Sequence, residues 1–362
     1  KGTKMAGPFA PRDGHEQVVY GADPDAGLRC IIAIHSTRLG PALGGTRFYP
    51  YADETAALVD VLRLAKAMTY KAAVAGLDLG GGKAVIIGDP ARDKREELLR
   101  AYGRVVESLG GRYVTACDVG TTPADLAVVA RETRWATGAD TSEGGSGDSG
   151  IMTAHGVFVG IRACLQRVFG DSSPRGRHVA LQGVGKVGRR LAEALAAEGA
   201  RLTVGDVDDG AATWCAEHLG AEVVGADKVH AVDADVFSPN ALGGVLNDET
   251  LPELQCRIVA GAANNQLLEP RHGDALAEAG ILYAPDFVIN AGGLIQVADE
   301  LHPDGRSEAR VRARTEQIGQ RLLEVFDVAE REGVSTAVAA DRVAERRIAA
   351  VGRLRGYWLP NR

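Results

Sequence analysis

Two lysines in the first third of the chain stand in surroundings that are unusual for charged side chains. Lys83 follows the three glycines 80–82 and precedes the apolar run AVII, and Lys71 ends the segment MTYK. Burial disfavours the charged form of a lysine, so its pKa falls toward values useful for proton transfer, and a second cation nearby lowers it further. A single lysine is more often a solvated surface charge. The glycines favour a functional role for Lys83, because backbone without side chains lets a ligand approach closely.

Asp118, in the segment TACDVGT, adds a carboxylate to these two amines. It too stands in apolar and glycine-rich surroundings. Judged on its local sequence alone, Asp118 could equally be a turn cap before Val119 and Gly120. The three side chains are therefore candidates for proton transfer, and for each of them an ordinary structural role stays open.

A glycine-rich segment in the second half has the arrangement that binds a dinucleotide. The predicted strand HVALQ comes before it, a helix follows it, and a second predicted strand ends at Asp206. The first glycine permits a tight turn, the second lets the backbone approach a pyrophosphate, and the third allows close helix–strand packing, while the helix N-terminus offers N–H donors. The predicted phosphate-binding residues are Gly183, Val184, Gly185, Lys186, Val187 and Gly188.

Asp206 indicates which dinucleotide this segment prefers. A carboxylate at the end of the second strand accepts hydrogen bonds from the ribose hydroxyls and repels a 2′-phosphate, so NAD is favoured over NADP. The alternatives are a glycine-rich turn that binds no nucleotide and, for Asp206, an ordinary residue of a strand-ending turn. The complete order of strand, glycines, helix, strand and aspartate favours the nucleotide.

The elements that must position these residues alternate along the chain. Helices are predicted over 53–66 and 98–109, next to strands at GLRCIIAIHS and KAVIIGDP. Residues 142–150, SEGGSGDSG, are too small to pack a core and predict a linker or hinge. After it the predicted strands are HVALQ, RLTVGD, ADVFSP, RIVAG and ILYAP, and their alternation with helices implies a parallel sheet covered on both faces. The last fifty residues are predicted to be helical.

Length and composition restrict the function classes. The 362 residues predict two domains, and 45% hydrophobic with 25% charged residues is typical of a globular protein. The net charge of −7 argues against a nucleic-acid or anionic-membrane partner. Five scattered cysteines and eight histidines without ligand spacing predict neither disulfides nor a metal site. With no apolar leader segment and no run of 18 apolar residues, we expect a cytoplasmic protein.

The chain resembles the amino-acid dehydrogenase family that includes the leucine, valine, phenylalanine and glutamate enzymes. The resemblance extends from about residue 13 to about residue 350 and is greatest to the valine dehydrogenases of actinobacteria. It implies a two-domain α/β fold, with an N-terminal substrate and oligomerisation domain (1–145 with about 331–362) and a Rossmann-type, doubly wound NAD-binding domain (146–330). C-terminal helices return to the first domain. The motifs are GPALGGTRFYPYA, MTYKAAVAGLDLGGGKAVIIGDP, TACDVGT, VAGAANNQL, LYAPDFVINAGGLIQVADEL and the dinucleotide segment.

The resemblance implies reversible oxidative deamination of an L-amino acid, with NAD, to a 2-oxo acid and ammonia. It assigns binding of the substrate α-carboxylate to Lys71, activation of the water that attacks the iminium to Lys83, and handling of protons on the substrate amine to Asp118. Thr153 is expected at the nicotinamide carboxamide. Several asparagines are expected where substrate and nicotinamide meet, and Asn265 is assigned to the substrate. The residues assigned to the cofactor are Asn240, Ala262, Asn264 and Asn290.

The resemblance also bears on the substrate side chain. Glutamate enzymes of the family carry a lysine at the position of Leu43 and a serine near Val297, and an apolar wall here would leave a second carboxylate desolvated, which excludes glutamate as the main substrate. Leu294 stands where valine and leucine enzymes usually carry valine. The extra methylene favours valine or 2-aminobutyrate in a graded way, although a repacked core explains it equally well. The predicted substrate pocket is Leu43, Gly44, Met68, Lys71, Ala116, Thr137, Asn265, Leu294 and Val297.

The predicted function is an NAD-dependent dehydrogenase of branched-chain or small aliphatic L-amino acids, with valine preferred. A leucine- or phenylalanine-preferring enzyme is the alternative within the family. An NAD-sensing protein without turnover is the alternative from another class, and the presence of all three titratable residues argues against it. The expected partners are a small-molecule substrate and further copies of the chain.

Overall fold

The computed structural model describes residues 14–140 and 145–355. The chain divides into two compact units, residues 1–147 with 347–362 (the first unit) and residues 148–346 (the second unit). The predicted linker, 142–150, overlaps the boundary between them, but its residues 142–144 lie outside the described residues. The assignment of 1–145 with about 331–362 and of 146–330 to two domains stays a prediction.

The first unit contains a five-stranded mixed sheet with strand order β1-β2-β4-β3-β5. The pairs β1–β2 and β2–β4 are antiparallel, whereas β3 is parallel to both β4 and β5. The carboxyl ends of β3, β4 and β5 therefore lie at one edge of the sheet. The elements are β1 (Gln17–Asp23), β2 (Leu28–Ser36), β3 (Ala42–Tyr49), α1 (Glu54–Val74), β4 (Gly80–Ile87), α2 (Pro90–Asp93), α3 (Glu96–Glu107), β5 (Tyr113–Cys117) and α4 (Pro123–Val129).

Alternation of side chains along the strands gives this sheet two apolar faces. Ile32, Ile34 and Ile86 belong to the core cluster that includes the buried side of α3. Ala33 and Val85 point to the other face and pack with α1. Helix α1 begins after Asp53, whose side chain accepts a hydrogen bond from the Ala56 amide at 2.7 Å. It extends beyond the predicted end at residue 66 because buried small residues continue along its last two turns.

The second unit contains a parallel sheet with strand order β11-β10-β9-β6-β7-β8. The predicted parallel sheet is confirmed, and its order changes direction between β6 and β9, the kind of switch point where open α/β sheets bind ligands. The elements are α5 (Gly150–Phe169), β6 (His178–Gln182), α6 (Gly188–Ala197), β7 (Arg201–Gly205), α7 (Asp209–Leu219), β8 (Glu222–Val223), β9 (Val236–Pro239), β10 (Ile258–Val259), α8 (Arg271–Glu278), β11 (Leu282–Tyr283), α9 (Asp286–Ile289), α10 (Gly292–Ala298), α11 (Glu308–Glu332) and α12 (Thr336–Arg355).

The last helix, α12, ends in the first unit. This agrees with the prediction that C-terminal helices return to the first domain. There the Arg347 guanidinium donates hydrogen bonds to the carbonyl oxygens of Ala73 and Leu77, each at 3.1 Å, and to Asp78 at 3.0 Å. These contacts cap the carboxyl end of α1. Along the described ranges, no helix is long and apolar enough to cross a membrane.

Candidate active site

The first unit contains a buried ion pair between Lys83 and Asp118. Lys83 lies on β4 two residues before Val85, so it points to the face that α1 covers. Its side chain is 6% exposed, and its Nζ lies 3.1 Å from Oδ2 of Asp118. Asp118 directly follows β5, at the carboxyl edge of the parallel strands. The two residues singled out in separate sequence segments are therefore in contact.

Burial and charge shift the pKa of both partners. Burial, the largest effect, lowers the pKa of Lys83, and the nearby Asp118 carboxylate only partly opposes it. Burial also raises the pKa of Asp118, but the charges of Lys83 and Arg47 outweigh it and hold that pKa below its ordinary value. An ionised Asp118 thus lies beside a lysine that loses its proton more readily than an exposed lysine does, which suits proton transfer.

Arg47, on β3, connects this pair to a second carboxylate. Its Nε donates to Oδ2 of Asp118 at 2.9 Å, and its Nη1 donates to Oδ2 of Asp60 on α1 at 2.8 Å. Asp60 also accepts hydrogen bonds from the Tyr51 hydroxyl at 2.7 Å and from Arg63 at 3.0 Å. Cations and carboxylates therefore alternate from Lys83 to Arg63.

The loop that carries Asp118 is fixed to β3. The Thr121 hydroxyl donates to the carbonyl of Thr46 at 2.8 Å and accepts from the Asp118 amide at 2.9 Å. Gly120 has a φ of +80°, and a Cβ there would lie 2.0 Å from the Phe48 carbonyl oxygen. Only glycine fits such a position, so the turn after Asp118 is positioned by the sheet itself.

The glycine triplet before Lys83 serves packing. A Cβ on Gly80 would lie 1.9 Å from the Ser36 carbonyl oxygen, and one on Gly81 would lie 2.0 Å from the Thr69 amide nitrogen on α1. A Cβ on Gly82 would meet the Tyr113 ring at 2.8 Å. The interpretation that these glycines admit a ligand is therefore corrected, because neighbouring protein atoms occupy the space.

The remaining first-unit residues predicted for the substrate lie on the same few elements. Lys71 and Met68 are half-buried on the last turns of α1, the segment that packs on Gly81. Leu43 and Gly44 are buried on β3, and the Gly44 carbonyl accepts a hydrogen bond from Tyr113 at 2.6 Å. Two more are buried at β5 and just beyond the following helix: Ala116 and Thr137.

In the second unit, the three glycines after β6 differ in the way the sequence predicts. Gly183 has a φ of +89° and its amide donates to Gly205 at 2.8 Å, which makes the turn. A Cβ on Gly188 would lie 2.0 Å from the Gly183 carbonyl oxygen, whereas nothing lies within 4 Å of one on Gly185. A ligand can thus approach the backbone at Gly185, before the N-terminus of α6. These residues fit a dinucleotide pyrophosphate.

Charged groups surround this loop. Asp206 accepts hydrogen bonds from the Val184 amide at 2.7 Å and from the Asp208 amide at 2.9 Å, so its carboxylate lies against the glycine loop. The exposed Lys186 pairs with Asp148 at 2.8 Å. Val187 is the residue that precedes α6. All predicted members of the loop are therefore adjacent to one another, and their contact with NAD stays a prediction.

Three of the predicted asparagines bind one another or the loop after β10. The Asn240 side chain accepts from the Ala262 amide at 2.9 Å, and the Asn290 side chain donates to the Ala262 carbonyl at 3.0 Å and to Asn264 at 2.8 Å. Asn290 is 4% exposed, and its Oδ1 has no hydrogen-bond partner among the described residues. Asn265 is exposed and has a φ of +51°. This cluster lies at the carboxyl ends of β9 and β10.

Thr153 lies on α5, and the aliphatic residues Leu294 and Val297 lie on α10, which packs against α5. Thr153, on α5, donates to the Ser149 carbonyl at 3.0 Å, and a Cβ on Gly293 of α10 would lie 2.7 Å from its hydroxyl. Leu294 and Val297 are half-buried and three residues apart on α10, so they share one face. Leu294 is thus not fully enclosed core.

The family is decided by comparison with known proteins. Residues 15–135 match the dimerisation domain of the Glu/Leu/Phe/Val dehydrogenases, and residues 211–356 match the family described as glutamate/leucine/phenylalanine/valine dehydrogenase. The chain belongs to this dehydrogenase family. The two matches together cover most of both units and include the segments that carry Lys83 and the asparagine cluster.

Individual relatives of this dehydrogenase family are similar over almost the whole chain. The valine dehydrogenase of Streptomyces coelicolor is 55% identical over 93% of this chain and 93% of its own length. The leucine dehydrogenase of Geobacillus stearothermophilus is 49% identical over 96% of this chain and 94% of its own. A crystal structure of L-tryptophan dehydrogenase from Nostoc punctiforme superposes with a TM-score of 0.86, at 45% identity, over 95% of this chain and 99% of that one.

Sequence reasoning missed Arg47, Asp60 and Tyr51. Arg47 lies inside the quoted motif GGTRF, and Asp60 lies on the predicted helix, but neither received a role. One signal was present: alternation along β3 places Arg47 on the side opposite Phe48, which faces α3, and so toward α1. An arginine on a covered strand face needs a carboxylate partner, and the covering helix supplies Asp60.

Proposed function

We propose that this dehydrogenase catalyses the reversible, NAD-dependent oxidative deamination of a branched-chain or small aliphatic L-amino acid to the 2-oxo acid and ammonia, with valine preferred. The observation that carries the proposal is the buried Lys83, 3.1 Å from the Asp118 carboxylate, in a chain of this family. A lysine with a lowered pKa beside an ionised carboxylate is suited to move protons at an amine and a water.

Binding precedes chemistry in this account. The Lys71 ammonium holds the substrate α-carboxylate, and Asp118 accepts hydrogen bonds from the amino group. The loop of residues 183–188 would hold NAD, which would supply the acceptor for the hydride. Loss of hydride from Cα leaves positive charge on the nitrogen, and the Asp118 carboxylate stabilises that charge.

Hydrolysis of the resulting iminium is assigned to Lys83. Its neutral amine takes a proton from water as the water oxygen bonds to Cα. The protonated Lys83 then returns this proton to the nitrogen of the carbinolamine. As the C–N bond breaks, the hydroxyl proton passes to the Asp118 carboxylate, the C=O bond forms, and ammonia leaves with the 2-oxo acid. The lowered pKa of Lys83 makes loss of its proton easier, in the direction that the first of these steps needs.

The substrate preference rests on three aliphatic residues. Leu43 and Val297 offer no charge to a second carboxylate, so glutamate is disfavoured. Leu294 reduces the space for the side chain and favours valine or 2-aminobutyrate over leucine. The alternative, a leucine-preferring enzyme, is supported by the 49% identity to a leucine dehydrogenase.

A substrate panel tests this proposal. NADH formation is followed at alkaline pH with L-valine, L-2-aminobutyrate, L-leucine, L-phenylalanine, L-tryptophan and L-glutamate. We expect the highest kcat/KM with valine or 2-aminobutyrate, a decrease of about 10- to 200-fold for one poorly fitting methylene, and no rate with glutamate. A preference for leucine or phenylalanine overturns the specificity. Absence of turnover with every amino acid supports the nucleotide-sensing alternative.

We also propose that the chain forms a homo-oligomer through its first unit. The family match over residues 15–135 is to a domain described as a dimerisation domain. Light scattering after size-exclusion chromatography tests this, and a mass of one chain contradicts it.

A further inference from the structure

We infer that Arg47 is a positioning residue that neutralises Asp118, so that Lys83 can give up its proton without leaving a buried carboxylate unpaired. The inference rests on the proposed function, in which Lys83 must be neutral to accept a proton from water. It concerns residues of the first unit alone. Asp60 contributes by holding the Arg47 guanidinium in place.

The geometry carries the first step of the argument. Arg47 and Lys83 donate to the same oxygen, Oδ2 of Asp118, at 2.9 and 3.1 Å. The side chain of Arg47 is 22% exposed and that of Lys83 is 6% exposed, so neither cation is replaced by bulk water at that oxygen. The two cations therefore compete for one carboxylate. A guanidinium keeps its charge at any pH that the enzyme meets, whereas the lysine can lose its charge.

The second step concerns what holds the guanidinium in place. The planar fork of Arg47 points one donor at Asp118 and another at Asp60, whose side chain is 16% exposed. Tyr51 and Arg63 also bind Asp60, so its carboxylate is fixed from three sides. A lysine at position 47 could not reach both carboxylates with a rigid fork. The arrangement is specific for arginine.

The third step is charge balance. Arg47, Arg63, Asp60 and Asp118 carry two positive and two negative charges, although the Arg63 side chain is 60% exposed and its charge is partly screened by water. Protonation of Lys83 adds a third positive charge that shares Asp118 with Arg47 at a buried position, which burial penalises. Other titratable groups on the elements packed around the site include Lys71, Lys66 and Tyr70 on α1, His35 on β2, Tyr51 after β3, and Tyr113 and Cys117 on β5.

The proposal predicts shifts of opposite sign for two substitutions. Arg47→Met removes the competing cation, so Lys83 holds its proton more tightly and the acidic limb of the kcat/KM–pH profile moves to higher pH. Since both donors bind one oxygen, they lie at most about 6 Å apart, which corresponds to a shift of about 0.5 to 2 pH units for effective dielectric constants from about 80 down to about 20. Asp60→Asn removes a negative charge and moves the limb to lower pH.

A measurement without turnover accompanies the kinetics. The reaction rate of Lys83 with acetic anhydride, followed by mass spectrometry of its peptide as a function of pH, reports its pKa directly. Arg47→Lys keeps the positive charge but not the planar fork, so it should raise the Lys83 pKa by less than Arg47→Met does. Arg100→Met is the matched control, because Arg100 also bridges two carboxylates of the first unit, Glu96 and Glu132, away from the site. It should leave both the limb and the Lys83 pKa unchanged.

The outcomes separate this inference from the proposed function. Opposite shifts for Arg47→Met and Asp60→Asn, in labelling and in kinetics, support it. Equal losses of kcat in both variants with an unmoved limb and an unmoved Lys83 pKa overturn it and leave a purely structural role. If no amino acid is deaminated but labelling shows the opposite shifts, the positioning role stands and the proposed function fails.

Discussion

Replacing two glycines of the dinucleotide loop by alanine should separate folding from cofactor binding. A Cβ on Gly188 would lie 2.0 Å from the Gly183 carbonyl oxygen, so helix and loop must separate by more than about 1 Å. Overpacking of this kind costs about 1–3 kcal/mol. For a unit of roughly 200 residues, that cost lowers the thermal midpoint of Gly188→Ala by about 2–12 °C.

Gly185→Ala should behave in the opposite way. Nothing lies within 4 Å of a Cβ there, and its φ is outside the left-handed region, so the alanine stiffens the unfolded chain and stabilises the fold by up to about 1 kcal/mol. The methyl group fills the space through which a pyrophosphate approaches, and we expect NAD to bind at least about tenfold more weakly, which is about 1.4 kcal/mol.

Differential scanning fluorimetry gives the midpoints of both variants, and isothermal titration calorimetry gives the dissociation constant of NAD. The prediction for Gly185→Ala is an unchanged or raised midpoint together with weaker binding. An NAD affinity within twofold of the unsubstituted protein would refute the placement of the pyrophosphate at this loop.

Three further predictions concern cofactor choice, acid stability and side-chain preference. Asp206→Ser removes the charge that repels a 2′-phosphate, so the ratio of kcat/KM with NADP to that with NAD should rise, and an unchanged ratio counts against a ribose role. The pKa values of Asp118 and Asp60 are lowered in the folded protein, so their contribution to stability is present above about pH 4 and is lost as the pH falls through the folded values. Asp118→Asn should therefore flatten the decrease in thermal midpoint between about pH 5 and 3, and an equally steep decrease contradicts this. Leu294→Val should raise kcat/KM for leucine relative to valine by several-fold, about 1 kcal/mol, in the NADH assay, and a constant ratio would place Leu294 outside the pocket.

Elements with regular apolar patterns were predictable from sequence. HVALQ coincides with β6, and the parallel order of the second sheet follows from the alternation of strands and helices. Strand β3 was harder to predict, because Gly44 and Gly45 disfavour a strand and their purpose becomes visible only in three dimensions. A Cβ on Gly44 would lie 1.7 Å from the Gly82 carbonyl oxygen, so the glycines serve the close approach of neighbouring strands.

The candidate site likewise contains residues that could be predicted from the sequence and contacts that could not. Lys83 and Asp118 could be picked out because a charge inside an apolar or glycine-rich segment is conspicuous. Their contact could not be predicted from local sequence, since it depends on β4 and β5 both pairing with β3. Arg47 and Asp60 were missed although alternation along β3 points Arg47 toward α1, because their contact also depends on how the strand and the helix pack together.

The role of Lys83 can be tested most directly with the variant Lys83→Met, in which NADH formation with L-valine and the affinity for NAD are measured on the same preparation. General acid–base catalysis contributes about 10²- to 10⁴-fold, so turnover should decrease by that factor while the NAD dissociation constant stays within twofold. A variant that keeps more than about one tenth of the turnover would contradict the assignment of the proton-accepting amine to Lys83.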